Sequence, residues 1–363
     1  MMRKSTYYLF LLLLLGGLSA CQQDGGAEQA EQRGTPADTT QAFGLDAQLD
    51  RLSREIARSP DNWALRQDRS LLYFQKGEVD SAIADVRKGL SFYEDSPELH
   101  FLRGYYGLSQ GDTGLAMYQF ELAANYGSAN PETFYQMGQI AFFQKNYDQA
   151  LRHYEQAAAL DSLAPLFVFA QGFLEESRNR PQQALRLYEQ ALQRDPNHVK
   201  TLLQLHDFWL EKMGDEKQAM AYNQRVLDQA QLHPLARYNE GNFHFRAALQ
   251  EEAGSEAYQN QINEAVVAYT LSINQDKEKG FAEPYFYRGY CYFLAERLEL
   301  ALNDFRQTVE IDSTHAQAHF YLGSINEFYQ DRETALFHYE QALTYQPNFP
   351  EARLAVADLR KRM

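Results

Sequence analysis

Small residues return along this chain at a nearly constant interval, and that interval limits the fold more than any other feature. Ala82, Ala116, Ala150, Ala184, Ala219, Ala265, Ala301 and Ala335 are separated by 34, 34, 34, 35, 46, 36 and 34 residues. Twelve residues before most of them lies a second small residue, at Ser70, Gly104, Gly138, Gly172, Gly289 and Gly323. Four residues after most of them comes a ring, at Phe120, Tyr154, Tyr188, Tyr269, Phe305 and Tyr339. Ala123, Ala157, Ala191 and Ala342 follow three residues later. A fixed period of this length means one supersecondary unit copied many times, so length alone does not divide the 363 residues into ordinary domains. A unit of that size cannot bury its apolar face alone and is stabilised by stacked neighbours.

The punctuation is helical. Pro97, Pro131, Pro165 and Pro234 stand where first helices open, a place that needs no N–H. Asp112, Asn146, Asp215 and Asp331 stand where second helices need an N-cap. Asp195-Pro196-Asn197 and Gln346-Pro347-Asn348 mark turns between units. Gly or Ala at one contact lets two antiparallel helices approach closely, and the ring fills the space toward the next unit. This small, small, large, small order over 34 residues resembles the tetratricopeptide repeat, in eight units over residues 63–349. The resemblance implies an all-α, right-handed α-solenoid of about eight helix-turn-helix repeats with capping helices. An amphipathic helix within 45–62 (Leu45, Leu49, Leu52, Ile56) is expected to cap one end. A second one within 350–363 (Ala352, Ala355, Val356, Leu359) caps the other, with Arg360, Lys361 and Arg362 suited to its C-terminus.

Two units depart from the pattern. The fifth has Asp207 at the counted small position and Asn223 at the ring position, which predicts looser packing. The sixth carries about twelve extra residues within 247–264, read as added helical turns with an acidic loop around Gly254 and Ser255. That insertion is either a functional projection or a tolerated surface loop.

Little in the sequence suggests catalysis. No HExxH, GxSxG or GxxxxGK[ST] motif is present. Gly104, Gly107, Gly111 and Gly114 follow no strand, and Gly104 and Gly111 are repeat positions inside a helix and at its turn. His315 and His319 share a helical face but lack a third ligand, and read as a helix-start residue and a repeat-interface residue. Cys291 reads as a small core residue, not a nucleophile. The expectation is therefore a non-enzyme with no cofactor and no metal.

By the resemblance, first helices line a concave groove into which their fifth, ninth and twelfth positions point. The ninth positions are Leu71, Tyr105, Gln139, Phe173, Phe208, Asn242, Tyr290 and Ser324. The family is polar there, whereas five of these eight are apolar or aromatic, and exposed aligned rings are costly unless covered. Either a protein or peptide partner covers them, or a narrow superhelix or the N-terminal tether does. The groove candidates are Leu71, Tyr105, Phe173, Phe208, Asn239, Asn242 and Tyr290, with Asn239 and Asn242 offering amides to a peptide backbone. The family's carboxylate clamp is absent: Gln67, Phe101, Tyr135 and Phe169 hold the fifth position, and Asp68, Leu102, Gln136 and Ala170 the sixth.

The N-terminus reads as an address. Arg3 and Lys4 precede an apolar run from Tyr7 to Leu15, too short to span a bilayer. Leu18-Ser19-Ala20-Cys21 resembles the bacterial lipobox, which implies cleavage after residue 20 and a lipid on Cys21. Gln22 at the next position is not the inner-membrane retention Asp of enterobacterial lipoproteins, so the outer membrane is favoured. Residues 21–44 form a polar tether reaching roughly 25 Å. The net charge of −15 becomes −17 without Arg3 and Lys4, which disfavours nucleic-acid partners. The reading is a lipid-anchored scaffold of the cell envelope that binds a protein or peptide, of undetermined oligomeric state. The alternative is a small-ligand or glycan-capture lipoprotein.

Overall fold

A computed structural model describes residues 37–362 apart from Lys277 and Lys279, and side chains from Gly44 onward. The signal at 1–20, Cys21 and the tether as far as residue 36 lie outside the described residues. The described chain is entirely helical: eight antiparallel pairs flanked by one helix at each end. It forms two compact units, Met1–Phe92 and Tyr93–Met363, a division that falls inside the expected repeat array.

The first unit contains α1 (Ala37–Arg58), α2 (Trp63–Gln75) and α3 (Val79–Leu90). Helix α1 starts inside the segment read as tether. Its Leu49, Leu52 and Ile56 are buried and Leu45 is half-buried, so the apolar stripe seen in the sequence is the face that packs. Asn62 caps α2 by accepting from the Ala64 and Leu65 amides. Arg69 grips the buried Asp85 bidentately, with both contacts at 2.6 Å, and reaches Ser53 of α1 at 2.9 Å. A planar guanidinium matched to a carboxylate in this way satisfies an otherwise costly buried charge.

The second unit holds α4 (Pro97–Ser109), α5 (Thr113–Asn125), α6 (Pro131–Phe143), α7 (Tyr147–Leu160), α8 (Pro165–Ser177), α9 (Pro181–Arg194), α10 (Val199–Phe208), α11 (Glu216–Gln229), α12 (Pro234–Ala248), α13 (Glu256–Gln275), α14 (Glu283–Leu294), α15 (Leu298–Ile311), α16 (Ala316–Phe328), α17 (Arg332–Tyr345) and α18 (Pro350–Arg362). Counting α2/α3 as the first repeat, α4/α5 is the second and α16/α17 the eighth. The second-helix alanines from Ala116 to Ala335 are fully buried. The first-helix glycines are seats for rings: a Cβ on Gly104, Gly138, Gly172, Gly241 or Gly323 would lie 2.5–2.8 Å from Phe120, Tyr154, Tyr188, Tyr269 or Tyr339 of the same repeat. Rings also reach the following repeat, as Tyr188 does to Phe208 and Phe305 to Tyr321.

A recurrent bond closes the turns before several first helices. The fourth residue after the cap reaches the carbonyl six residues behind it: Arg66 to Pro60, His100 to Glu94, Arg237 to Gln231, His319 to Ser313, and Arg353 to Pro347 in α18. Arg and His both suit the site because each puts an N–H donor at the end of a long side chain. Asp112, Asp215 and Asp331 cap their helices as expected, whereas Asn146 makes no capping bond and donates to Gln149.

The insertion lengthens α12 to 15 residues and α13 to 20, joined by a short loop with Gly254 at φ +84° and Ser255 as N-cap. In α18, Ala352, Val356 and Leu359 are buried, and Arg360 and Arg362 reach back to Glu340 and Glu327.

The fifth repeat holds one residue more than its neighbours. Fifteen residues separate the cap of the first helix from the left-handed turn residue in most repeats: Asn62 to Gly77, Ser96 to Gly111, Asn130 to Lys145, Ala164 to Asn179 and His315 to Gln330. From His198 to Gly214 there are sixteen. The extra residue is absorbed in a π-helical turn, Trp209–Met213, that continues α10. Counting back from Ala219 therefore misplaces every residue of α10 by one. His206, not Asp207, occupies the small position, and Phe208 takes the core place held by Tyr106, Ile140 and Leu174. The packing is not loose there. His206 and Asn223 are buried, and Asn223 donates to the Ala236 carbonyl and accepts from Asn239. A hydrogen-bonded polar cluster replaces the Gly–ring contact.

Candidate functional site

The first helices of the second unit present one face at helical spacing, and consecutive repeats bring these faces together. Gln204 in the fifth repeat donates to Glu176 in the fourth at 3.0 Å. The Glu132 carboxylate of the third repeat and the Lys200 ammonium of the fifth lie close enough to perturb each other without touching. The face is therefore drawn inward between the third and fifth repeats.

Of the residues singled out from the sequence, Tyr105 lies on this face but is only 7% exposed, stacked on Phe101 and shielded by its neighbours. Burial raises its hydroxyl pKa, with the Glu132 charge adding to the shift. Phe173 is half-buried between Phe142 and Phe169, at ring-centre distances of 5.6 and 6.4 Å. Phe208 is a correction. At 1% exposure it lies in the core with Val168, Leu205 and Tyr188, and the accessible residue at that level is Asp207. Asn239 is a second correction. It is buried, and its Nδ2 is turned to Asn223 and His206, each at 3.2 Å, so its amide N–H groups are not held out to a peptide. Asn242 stays half-buried and accepts from the Tyr269 hydroxyl at 2.9 Å. Tyr290 belongs to a ladder of rings in the last repeats, 5.0 Å from Tyr321, to which it hydrogen-bonds, and 5.7 Å from Phe245. Leu71 is half-buried in the first unit. The covered rings fit the narrow-superhelix alternative better than a row of exposed anchors.

Sequence reasoning missed the two carboxylates of the face, Glu132 and Glu176. Glu132, Gln136 and Gln139 follow one another at i, i+4 and i+7 on α6, and Glu176 occupies the twelfth position of its repeat. That spacing was the available signal. Gln136 is 3% exposed and donates to Glu132 at 2.7 Å. Glu176 accepts from the Tyr188 hydroxyl at 2.7 Å and from Gln204. Desolvation holds both carboxyls above their usual range. The bond from Gln136 and the Lys200 charge pull back on Glu132, and the bonds from Tyr188 and Gln204 pull back on Glu176.

The remaining reactive side chains have packing roles. His315 caps α16 through the Ala318 amide, and His319 meets His338 at 3.1 Å between Nδ1 atoms. Cys291 is fully buried beside Tyr269 and Phe245, and burial pushes its thiol up to about 12. Among the described residues no group of three or more His, Cys, Asp or Glu is placed to hold a metal ion, and no helix is long and apolar enough to cross a membrane.

Two sequence models of the tetratricopeptide repeat match residues 135–199 and 177–239. No curated protein matches the chain in sequence. Among solved structures it is similar to a chain of the APC/C hetero-tetramer Cut9–Hcn1, at 15% identity and a TM-score of 0.54 over 86% of this chain, spanning 58% of that one. It is also similar to a monomeric IFIT1 mutant solved with Gppp-AAAA, at 16% identity and a TM-score of 0.56, covering 89% of this chain and 79% of that one. At these identities the likeness speaks to the fold. Tetratricopeptide repeats are thus matched in sequence over residues 135–239, and the chain shares the all-helical, α-solenoid fold of these solved structures.

Proposed function

We propose that this chain is a non-catalytic scaffold that holds a segment of a partner protein on the first-helix face of the unit Tyr93–Met363, and that a lipid on Cys21 tethers it at the bacterial cell envelope, in the outer membrane. The observation that carries the reading is the face between the third and fifth repeats. There half-buried Phe173 lies one helical turn before Glu176 on α8 and meets Phe142 of α6, the helix that also carries Glu132 and Gln139, so the face combines apolar contact with hydrogen-bonding groups that secondary structure does not consume. Such a mixture suits a peptide, which offers side chains and backbone N–H groups together. The lipid anchor rests on Leu18-Ser19-Ala20-Cys21 and on the polar segment after it. The carboxylates of the face argue against phosphate-bearing ligands.

A photo-crosslinking residue placed at Phe173, and in a second variant at exposed Tyr118 on a second helix, tests the reading in intact cells. Discrete protein adducts at 173 and none at 118 are expected. Equal adducts at both positions, or none at 173, would refute the binding face, and retention of a small molecule or glycan without protein adducts would favour the capture alternative. Fractionation of Cys21→Ala tests the anchor separately, since persistent lipid-dependent membrane association would contradict it.

A further inference from the structure

The binding face is rich in acceptors and poor in donors. Glu132 receives one side-chain hydrogen bond, from Gln136, and joins no ion pair among the described residues. Gln136 is almost fully buried, and its Oε1 meets no donor, although its Nε2 is already turned to Glu132. Both bonds to Glu176 fall on Oε2 and leave Oε1 open. Asp207 adds a further half-exposed carboxylate one repeat on. Lys200 and Lys212 act on this group only at a distance, and Lys200 is itself weakened as a cation by desolvation. Buried acceptors without donors are expensive, and desolvated carboxylates without a counter-ion more so. The deficit is specific: it is met by an N–H-rich cation, whereas another acceptor would worsen it.

We propose, building on the binding face above, that the partner segment held there is cationic and sets separate lysine or arginine side chains against Glu132 and against Glu176. The family resemblance offers a clamp for carboxylates; this face has the opposite polarity. Lys200 is the internal competitor, able to approach Glu132 when no partner is bound.

The test uses the full chain in detergent and three fluorescein-labelled twelve-residue peptides of alanine, phenylalanine and one variable residue, lysine, glutamine or glutamate, read by fluorescence anisotropy. The lysine peptide is expected to bind best. Glu132→Gln and Glu176→Gln should each weaken it about tenfold, the usual scale for losing a charge-assisted hydrogen bond. Lys200→Gln should tighten it, and Glu189→Gln, an exposed charge on α9, should leave it unchanged. Equal binding of all three peptides, or undiminished binding of the lysine peptide to Glu132→Gln with Glu176→Gln, would overturn the assignment, the latter showing only attraction to the chain's net charge of −15. Glu132→Gln keeps the acceptor used by Gln136, so it preserves the fold and reads the charge alone should Glu176→Gln disturb Tyr188. Adducts at position 173 without any preference for lysine would sink the cationic partner and leave the binding face standing, whereas no adducts and no peptide binding would sink both.

Discussion

Phe208→Ala is the sharpest test of the fifth repeat, because two registers assign that side chain opposite fates. Counted from Ala219 it faces the groove, and its truncation would cost little stability. In the structure it is 1% exposed, edge-on to Tyr188 and packed with Val168 and Leu205. Truncation removes roughly 150 Å2 of buried apolar surface, about 4 kcal/mol at ~25 cal/mol per Å2, within the 3–5 kcal/mol typical of core Phe→Ala changes. Asp207→Ala, by contrast, loses one half-exposed contact to His206 and should cost less than about 1 kcal/mol. A repeat array need not unfold in one step, so the suitable assay is native-state amide exchange of α10 and α11 by mass spectrometry. Phe208→Ala should speed exchange there on the order of a thousandfold, at ~1.4 kcal/mol per factor of ten, with Asp207→Ala changing it less than about tenfold. If Asp207→Ala proved the more disruptive, the shifted register and the placement of the π-helical turn would both be wrong.

Lys145, Asn179, Glu296 and Gln330 hold left-handed turn positions that glycine takes in other repeats. Lys145→Gly, exposed at φ +61°, should therefore stabilise its repeat by about 1 kcal/mol despite the added chain entropy, and destabilisation in a denaturant melt would contradict this. His338 is driven down to about 4 by burial, with His319 and Arg306 adding to the shift. The unfolded chain binds the proton first, so this residue costs the eighth repeat stability as pH falls from about 6.5 to 4, and no further loss comes from it below that. His338→Gln should flatten that slope while keeping a partner for His319, because Gln119 plays the same part beside His100; an unchanged pH profile would refute it. A thiol titration with a disulfide reagent separates the two cysteines. Cys291 should react only after denaturation, and a lipidated Cys21 not at all, so one rapidly reacting thiol in the native mature protein would refute the thioether.

Much of the fold was legible from spacing alone. The alanines, glycines and rings at 34-residue intervals have to meet one another wherever two helices cross, and that need is local to each repeat, so period and residue size together dictate the helix pairs and the apolar stripes of α1 and α18. The site was less legible. Counting in fixed steps placed Phe208 in the groove because the step of 35 between Ala184 and Ala219 reveals that a residue has been added without revealing where. Only the helix geometry puts it in the π-helical turn after α10. Asn239 read as a free amide because its partners, His206 and Asn223, belong to the preceding repeat.

The sequence by itself determined an all-helical repeat array, the positions of its turns and the identity of its packing seats, since these follow from side-chain volume at a fixed period. The tertiary structure alone decided which side chains on the first-helix face are spent. Glu176 takes one of its donors from Gln204 a repeat further on, and Glu132 feels the charge of Lys200 two repeats on, distances that carry no signature along the chain.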